Sequence, residues 1–159
     1  MLMRSLFAAI VVGAAAIMTG CATSKLLIDA ERVRTNTHTV LAFEETVYNK
    51  HHVKEGFDRY VGPDFRQHNA TTLPDDKDAA ITALSNLLTN VYPASRIVVE
   101  RTVSQGDLVA AQVFWDQQPG QSRGVTMIEI YRLENGKIVE CWGVAQPAAS
   151  KPAADSAVM

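Results

Sequence analysis

The chain predicts an α+β domain, three N-terminal helices packed on an antiparallel sheet, and two observations carry that prediction. The spacing of apolar residues changes from helical to strand-like near the middle of the chain. Beyond that point, turn signals separate four runs rich in Val, Ile, Tyr and Trp. Helices followed by a meander must bury one sheet face under the helices.

From Asp29 to Lys50, the residues Val33, Val40, Leu41, Val47 and Tyr48 recur at helical spacing and give one long helix a single apolar stripe. Val53 to Val61 reads as a shorter helix, with Phe57, Tyr60 and Val61 facing in and Gly62-Pro63 ending it. Asp75 or Asp76 can cap a third helix, whose Ala80, Ile81, Leu84, Leu87, Leu88 and Val91 form a stripe before Pro93 stops it. The strands are expected at Arg96–Val103, Leu108–Trp115, Val125–Leu133 and Ile138–Ala145. Gln105-Gly106-Asp107 and Asn135-Gly136 supply turns between them, and Pro119-Gly120 sits in the longer connection.

The N-terminus reads as an address. Arg4 precedes an uncharged small-and-apolar run from Leu6 to Met18, too short to span a bilayer but of the length of a signal-peptide core. Met18-Thr19-Gly20-Cys21 then resembles the lipobox of bacterial lipoproteins. The resemblance implies cleavage before Cys21 and acylation of that cysteine. With Ala22 following, it implies an outer-membrane lipoprotein of the bacterial cell envelope that faces the periplasm. The expected organisation is a signal peptide over 1–20, a tether over 21–28, a folded domain over 29–146 and a disordered tail over 147–159.

Net charge is −2 and the arginines are scattered without a basic stripe, which argues against nucleic acid as a partner. Cys21 and Cys141 are the only cysteines. With Cys21 acylated, Cys141 has no intramolecular partner, and a lone thiol in an oxidising compartment is expected to be buried or else reactive.

Two segments carry a second resemblance: Tyr60-Val-Gly-Pro-Asp-Phe-Arg-Gln-His-Asn69 and Glu129-Ile-Tyr-Arg-Leu-Glu-Asn-Gly-Lys-Ile-Val-Glu-Cys-Trp142. They resemble the SnoaL-like polyketide cyclase group of the nuclear transport factor 2-like superfamily, over about Glu31 to Gln146. The resemblance implies a cone, with a curved sheet around the first helix and a pocket at the wide end for a small, mostly apolar ligand. It brings no cofactor, and it allows a homodimer through the sheet face. In the cyclases an Asp just after the last-strand Trp is the general base. Here that stretch reads Cys141-Trp142-Gly143, and Gly143 cannot move a proton.

The remaining polar candidates are Glu129 and His68. A three-residue turn at Asn135-Gly136 would set Glu129 across from Cys141, on the face of Gly143; a two-residue turn would pair it with Trp142. Beside an apolar wall Glu129 could serve as a general base, and on the convex side it would only meet solvent. His68 could be an acid, base or carbonyl donor at the pocket mouth, or with Asn69 could fix the loop before the third helix. Tyr48, Phe65, Asn69, Trp115, Tyr131, Cys141 and Trp142 are candidates to line the pocket, the aromatic ones equally readable as core. His51 and His52 are adjacent and make a poor metal pair, so no metal site is expected. The expected function is binding of a small apolar carbonyl-type ligand with weak or no catalysis. The alternatives are a cofactor-independent proton-transfer or aldol-type enzyme using Glu129 and His68, and a dimeric interaction module.

Overall fold

A computed structural model describes residues 3–68, 73–119 and 124–148, with side chains from Ser24 onward. The Cys21 side chain, Asn69 and the expected tail beyond Ala148 lie outside the described residues. The first helix, α1 (Met3–Glu44), continues into one π-helical turn over Glu45–Asn49. It is followed by α2 (Val53–Tyr60), β1 (Val61–Gln67) and α3 (Lys77–Asn86), which also ends in a π turn over Leu87–Val91. Four strands complete the domain: β2 (Arg96–Gln105), β3 (Leu108–Asp116), β4 (Gly124–Glu134) and β5 (Lys137–Ala148).

The helices and the four-strand meander come in the predicted order, though α1 begins at Met3 rather than Asp29 and β5 runs to Ala148, and the fold is α+β. The strand β1 is an addition. Gly62-Pro63 ends α2, yet the chain runs on extended and pairs parallel to β5, giving the order β1-β5-β4-β3-β2. Pro63 is tolerated because β1 lies at the sheet edge, where a missing N–H costs no ladder bond.

The stripe on α1 faces the sheet through Asn36, Val40, Phe43, Glu44, Val47 and Tyr48, all buried, at steps of three and four. Two expected members fall elsewhere: Leu41 on α1 and Val91 at the end of α3 are exposed. Asn49 fixes the π turn to the sheet, accepting from Ile97 N at 2.8 Å and donating to Ile97 O. Asp76 caps α3 by accepting from Ala79 N at 2.9 Å. The α3 stripe then packs Ala80, Leu84 and Leu88 into the core.

Two irregularities in the antiparallel ladders bend the sheet. The register of β2 against β3 slips between Val99 and Arg101, and that of β5 against β4 slips after Leu133↔Ile138. Bulges of this kind raise local twist and curl a sheet around its helices. The second one also decides which side chains reach the pocket.

Candidate functional site

Asn135 and Gly136 both have positive φ, 50° and 74°, so the β4–β5 turn is a two-residue one with Glu134 opposite Lys137. A plain ladder from that turn would place Trp142 across from Glu129. The extra residue at Val139 shifts everything beyond it, and the partners become Tyr131↔Cys141, Ile130↔Trp142 and Glu129↔Gly143. Neither register expected from sequence is the one adopted. The face is nonetheless the inward one: Glu129 and Gly143 line the pocket together.

That pocket lies between the wide end of the sheet and α3. Its wall is mostly apolar, from Leu73, Leu84, Leu87, Trp115 and Met127, with Tyr48, Gln67 and Glu129 as the polar exceptions. The space that a water-sized sphere can reach is about 40 Å³, room for a few waters as the side chains stand. A narrower recess continues inward, sharing Tyr48, Gln67 and Glu129 and bounded by Phe65, Tyr131 and Cys141. Edge-on contacts of Phe43 with Phe57 and Tyr131, and of Phe57 with Phe65, close its far side.

At the base of this recess stands a group that sequence reasoning missed. Glu44, the last residue of α1, has no exposed surface. The Tyr131 hydroxyl lies 2.5 Å from Glu44 Oε1 and 2.9 Å from Glu129 Oε2. A phenol has one proton and can donate once. Were both carboxyls ionised, one of these contacts would set two lone pairs against each other without a proton. One carboxyl is therefore protonated, and burial selects Glu44. Its Oε2 is buried with no hydrogen-bond partner among the described residues, which a neutral acid tolerates far better than a carboxylate does.

The electrostatics agree. Burial pushes the Glu44 carboxyl well above the usual range, and the neighbouring Glu129 charge pushes it further. Burial also raises Glu129, while the neighbouring Glu44 acid and the hydrogen bond from Tyr131 pull it back. Tyr48 and Tyr131 are held well above the ordinary phenol value, by burial first and by the two carboxyls next, so both stay protonated donors. Burial and the same carboxyls raise the Cys141 thiol, which is free and 2% exposed, as a lone unreactive cysteine would be. The signal that could have exposed Glu44 was its place on the apolar stripe of α1, between Phe43 and Val47.

The structure brings together Glu129, Tyr48, Phe65, Trp115, Tyr131 and Cys141 from the sequence candidates. It does not bring His68 or Trp142. Trp142 pairs with Ile130 on the outer face, and His68 stacks on it at 4.6 Å between ring centres. His68 Nε2 meets Glu140 at 2.9 Å, and Glu140 also binds Arg132. The bulge at Val139 is the physical reason: it turns Cys141 and Gly143 inward and Trp142 outward, and His68 follows Trp142.

A cone of this kind, with a pocket at its wide end, defines the nuclear transport factor 2-like class of fold. The sequence pattern of the SnoaL-like polyketide cyclases matches residues 38–153, and the chain belongs to that family. No curated protein matches the chain. Among solved structures it is similar to a loop-truncation variant of IdmH, with 22% identity, a TM-score of 0.61, and 69% of this chain and 91% of that one covered. IdmH is a proposed polyketide cyclase from Streptomyces antibioticus. The chain is also similar to TsrD from Streptomyces laurentii, at 17% identity and a TM-score of 0.57 over 70% of this chain and 89% of that one. A proposed ketosteroid isomerase from Kribbella flavida superposes with a TM-score of 0.56 at 12% identity, covering 76% and 84%. At these identities the likeness is one of fold.

Proposed function

We propose that the domain binds a small, mostly apolar carbonyl compound in the cone pocket and exchanges a proton with it through Glu129. The observation that carries this reading is one ionisable carboxyl on a mostly apolar wall, raised by burial and held by Tyr131. The names of the family and of the Kribbella flavida neighbour both denote ketone-bearing compounds, which supports the ligand class. Glu129 stands in for the Asp that the resembling cyclases carry at the position of Gly143, one strand away. In the step, the Glu129 carboxylate takes a proton from the carbon beside the carbonyl. The C–H electron pair moves into the enolate, whose oxygen would accept a hydrogen bond from Tyr48, a donor lining the same pocket. A positioned base of this sort contributes about 10²–10⁴-fold.

Exchange of the α-protons of an enolisable aromatic ketone for deuterium, followed by NMR, tests the reading. Wild-type protein should accelerate exchange and Glu129→Gln should abolish the acceleration. Binding of the ketone, seen as a thermal shift, with no exchange in either protein leaves the second reading, a binding protein without turnover. That reading is favoured by Gly143 itself.

Two features outside the pocket belong to the same proposal. The outer sheet face exposes Ile128, Ile130, Trp142 and Val144 on neighbouring strands, a surface suited to a homodimer. The lipobox-like segment would tether the domain to the outer membrane through Cys21. Stable anchoring takes more than one acyl chain at about 0.8 kcal/mol per buried methylene. Loss of membrane association in a Cys21→Ala variant tests the tether.

A further inference from the structure

The geometry points to Glu44 as a positioning residue that stores one proton for Glu129 and passes it through Tyr131, so that the pocket carboxyl can serve as base and as acid. The inference rests on the reading of Glu129 as the group that meets the ligand, and it extends that reading to a residue no ligand touches. Three oxygens lie in a row: Glu44 Oε1, the Tyr131 hydroxyl at 2.5 Å, and Glu129 Oε2 at 2.9 Å from that hydroxyl. Two protons satisfy the row. Glu44 donates to the Tyr131 oxygen, Tyr131 donates to Glu129, and one negative charge sits on Glu129 at the pocket wall.

The same row has a second arrangement with the same atoms and charge. The Glu44 proton moves to the Tyr131 oxygen as the Tyr131 proton moves to Glu129 Oε2, and the charge goes to Glu44. Only O–H bonds break and form. Glu129 is then an acid able to give the ligand a proton without first having taken one from it, with Glu44 holding the charge meanwhile. The resting arrangement is the first, because an ionised Glu44 would leave its buried Oε2 without a donor. The other ionisable groups facing the pair are Tyr48 from the π turn and Cys141 from β5, both acids that the pair itself helps hold neutral. Among the described residues no cation offsets a second negative charge there.

Side-chain carboxyl NMR of ¹³C-glutamate-labelled protein, followed against pH, reads the pair without any ligand. Failure here is therefore separable from failure of the proton-exchange assay. Wild-type protein should show two resolved steps, with one proton held between them. Glu44→Gln, nearly the same shape, should lose the upper step and keep the lower. Glu129→Gln should leave Glu44 with a single step, moved below the wild-type upper step because the repelling charge is gone. Tyr131→Phe should move the Glu129 step upward, since it removes the donor to the carboxylate. If both carboxyls ionise together in the ordinary range, or the upper step survives in Glu44→Gln, the proton-store assignment is overturned.

Discussion

Glu129 and Gly143 are register partners across β4 and β5, both facing the pocket. Directly opposed residues on one sheet face hold their Cβ positions about 4.5–5.5 Å apart. Gly143→Asp, which restores the residue of the resembling cyclases, therefore sets a second carboxylate against Glu129. We expect the variant to lose stability as pH rises, by on the order of 1 kcal/mol at neutral pH. We also expect its Glu129 to titrate higher than in the wild type. Denaturant titrations at two pH values measure this, and a Gly143→Asp protein as stable as wild type at neutral pH would contradict the register.

The carboxyl pair also sets a pH dependence for the wild-type fold. Burial raises both Glu44 and Glu129 above the ordinary value of 4.5. Below the unfolded value, native and unfolded chains both hold these protons and the pair has no pH effect. As pH climbs from there through the folded values, the unfolded chain has released protons that the native one still binds, and stability falls. Glu140 acts in the opposite window: Arg132 and His68 hold it low, so its contribution is lost as pH falls below the ordinary value. Glu44→Gln should flatten the alkaline decline and exceed wild-type stability at high pH. A wild-type midpoint that rises steadily from pH ~5 to ~9 would speak against a buried neutral Glu44.

Cys141 should behave as core. Its thiol is buried against the carboxyl pair and held well above its ordinary value. Thiolate is the reacting form, so both access and ionisation slow alkylation. A bulky maleimide should react with the denatured protein at least tenfold faster than with the native one. Equal rates would place the thiol on the surface.

The parts of this chain legible in sequence are those governed by periodicity. Stripes on α1 and α3, and the β-rich second half, predict their elements because each is a repeat of apolar residues. Glu129 is a candidate in sequence because one hairpin register brings it beside Cys141 and Gly143, while its face stays open between two turn lengths. The extra residue at Val139 was not legible. A bulge leaves no composition signal, yet it swaps the faces of everything after it, and so Trp142 and His68 were expected in a pocket they do not reach. Glu44 was hidden for a different reason: a carboxyl inside an apolar stripe looks like an ordinary helix residue until a tyrosine from another strand arrives beside it. The strand β1 was masked by Gly62-Pro63, which signals the end of a helix whether or not a strand follows.

His68 supplies the last prediction, because its placement separates the site seen in the structure from the one expected in sequence. Its ring stacks on Trp142 and bonds Glu140 on the outer sheet surface, and its side chain is 40% exposed. Exposed ion pairs of this kind contribute about 0–1 kcal/mol. His68→Ala should therefore lower stability by no more than about 1 kcal/mol from the ion pair, plus about 0.5–1.5 kcal/mol from the lost ring stacking. It should leave ketone binding and α-proton exchange within a factor of two of wild type. Glu129→Gln, assayed beside it, should abolish exchange with little change in fold. If His68→Ala instead costs a hundredfold in exchange while the protein stays folded, the imidazole reaches the ligand, and the pocket is organised from the outer face as well as the inner one.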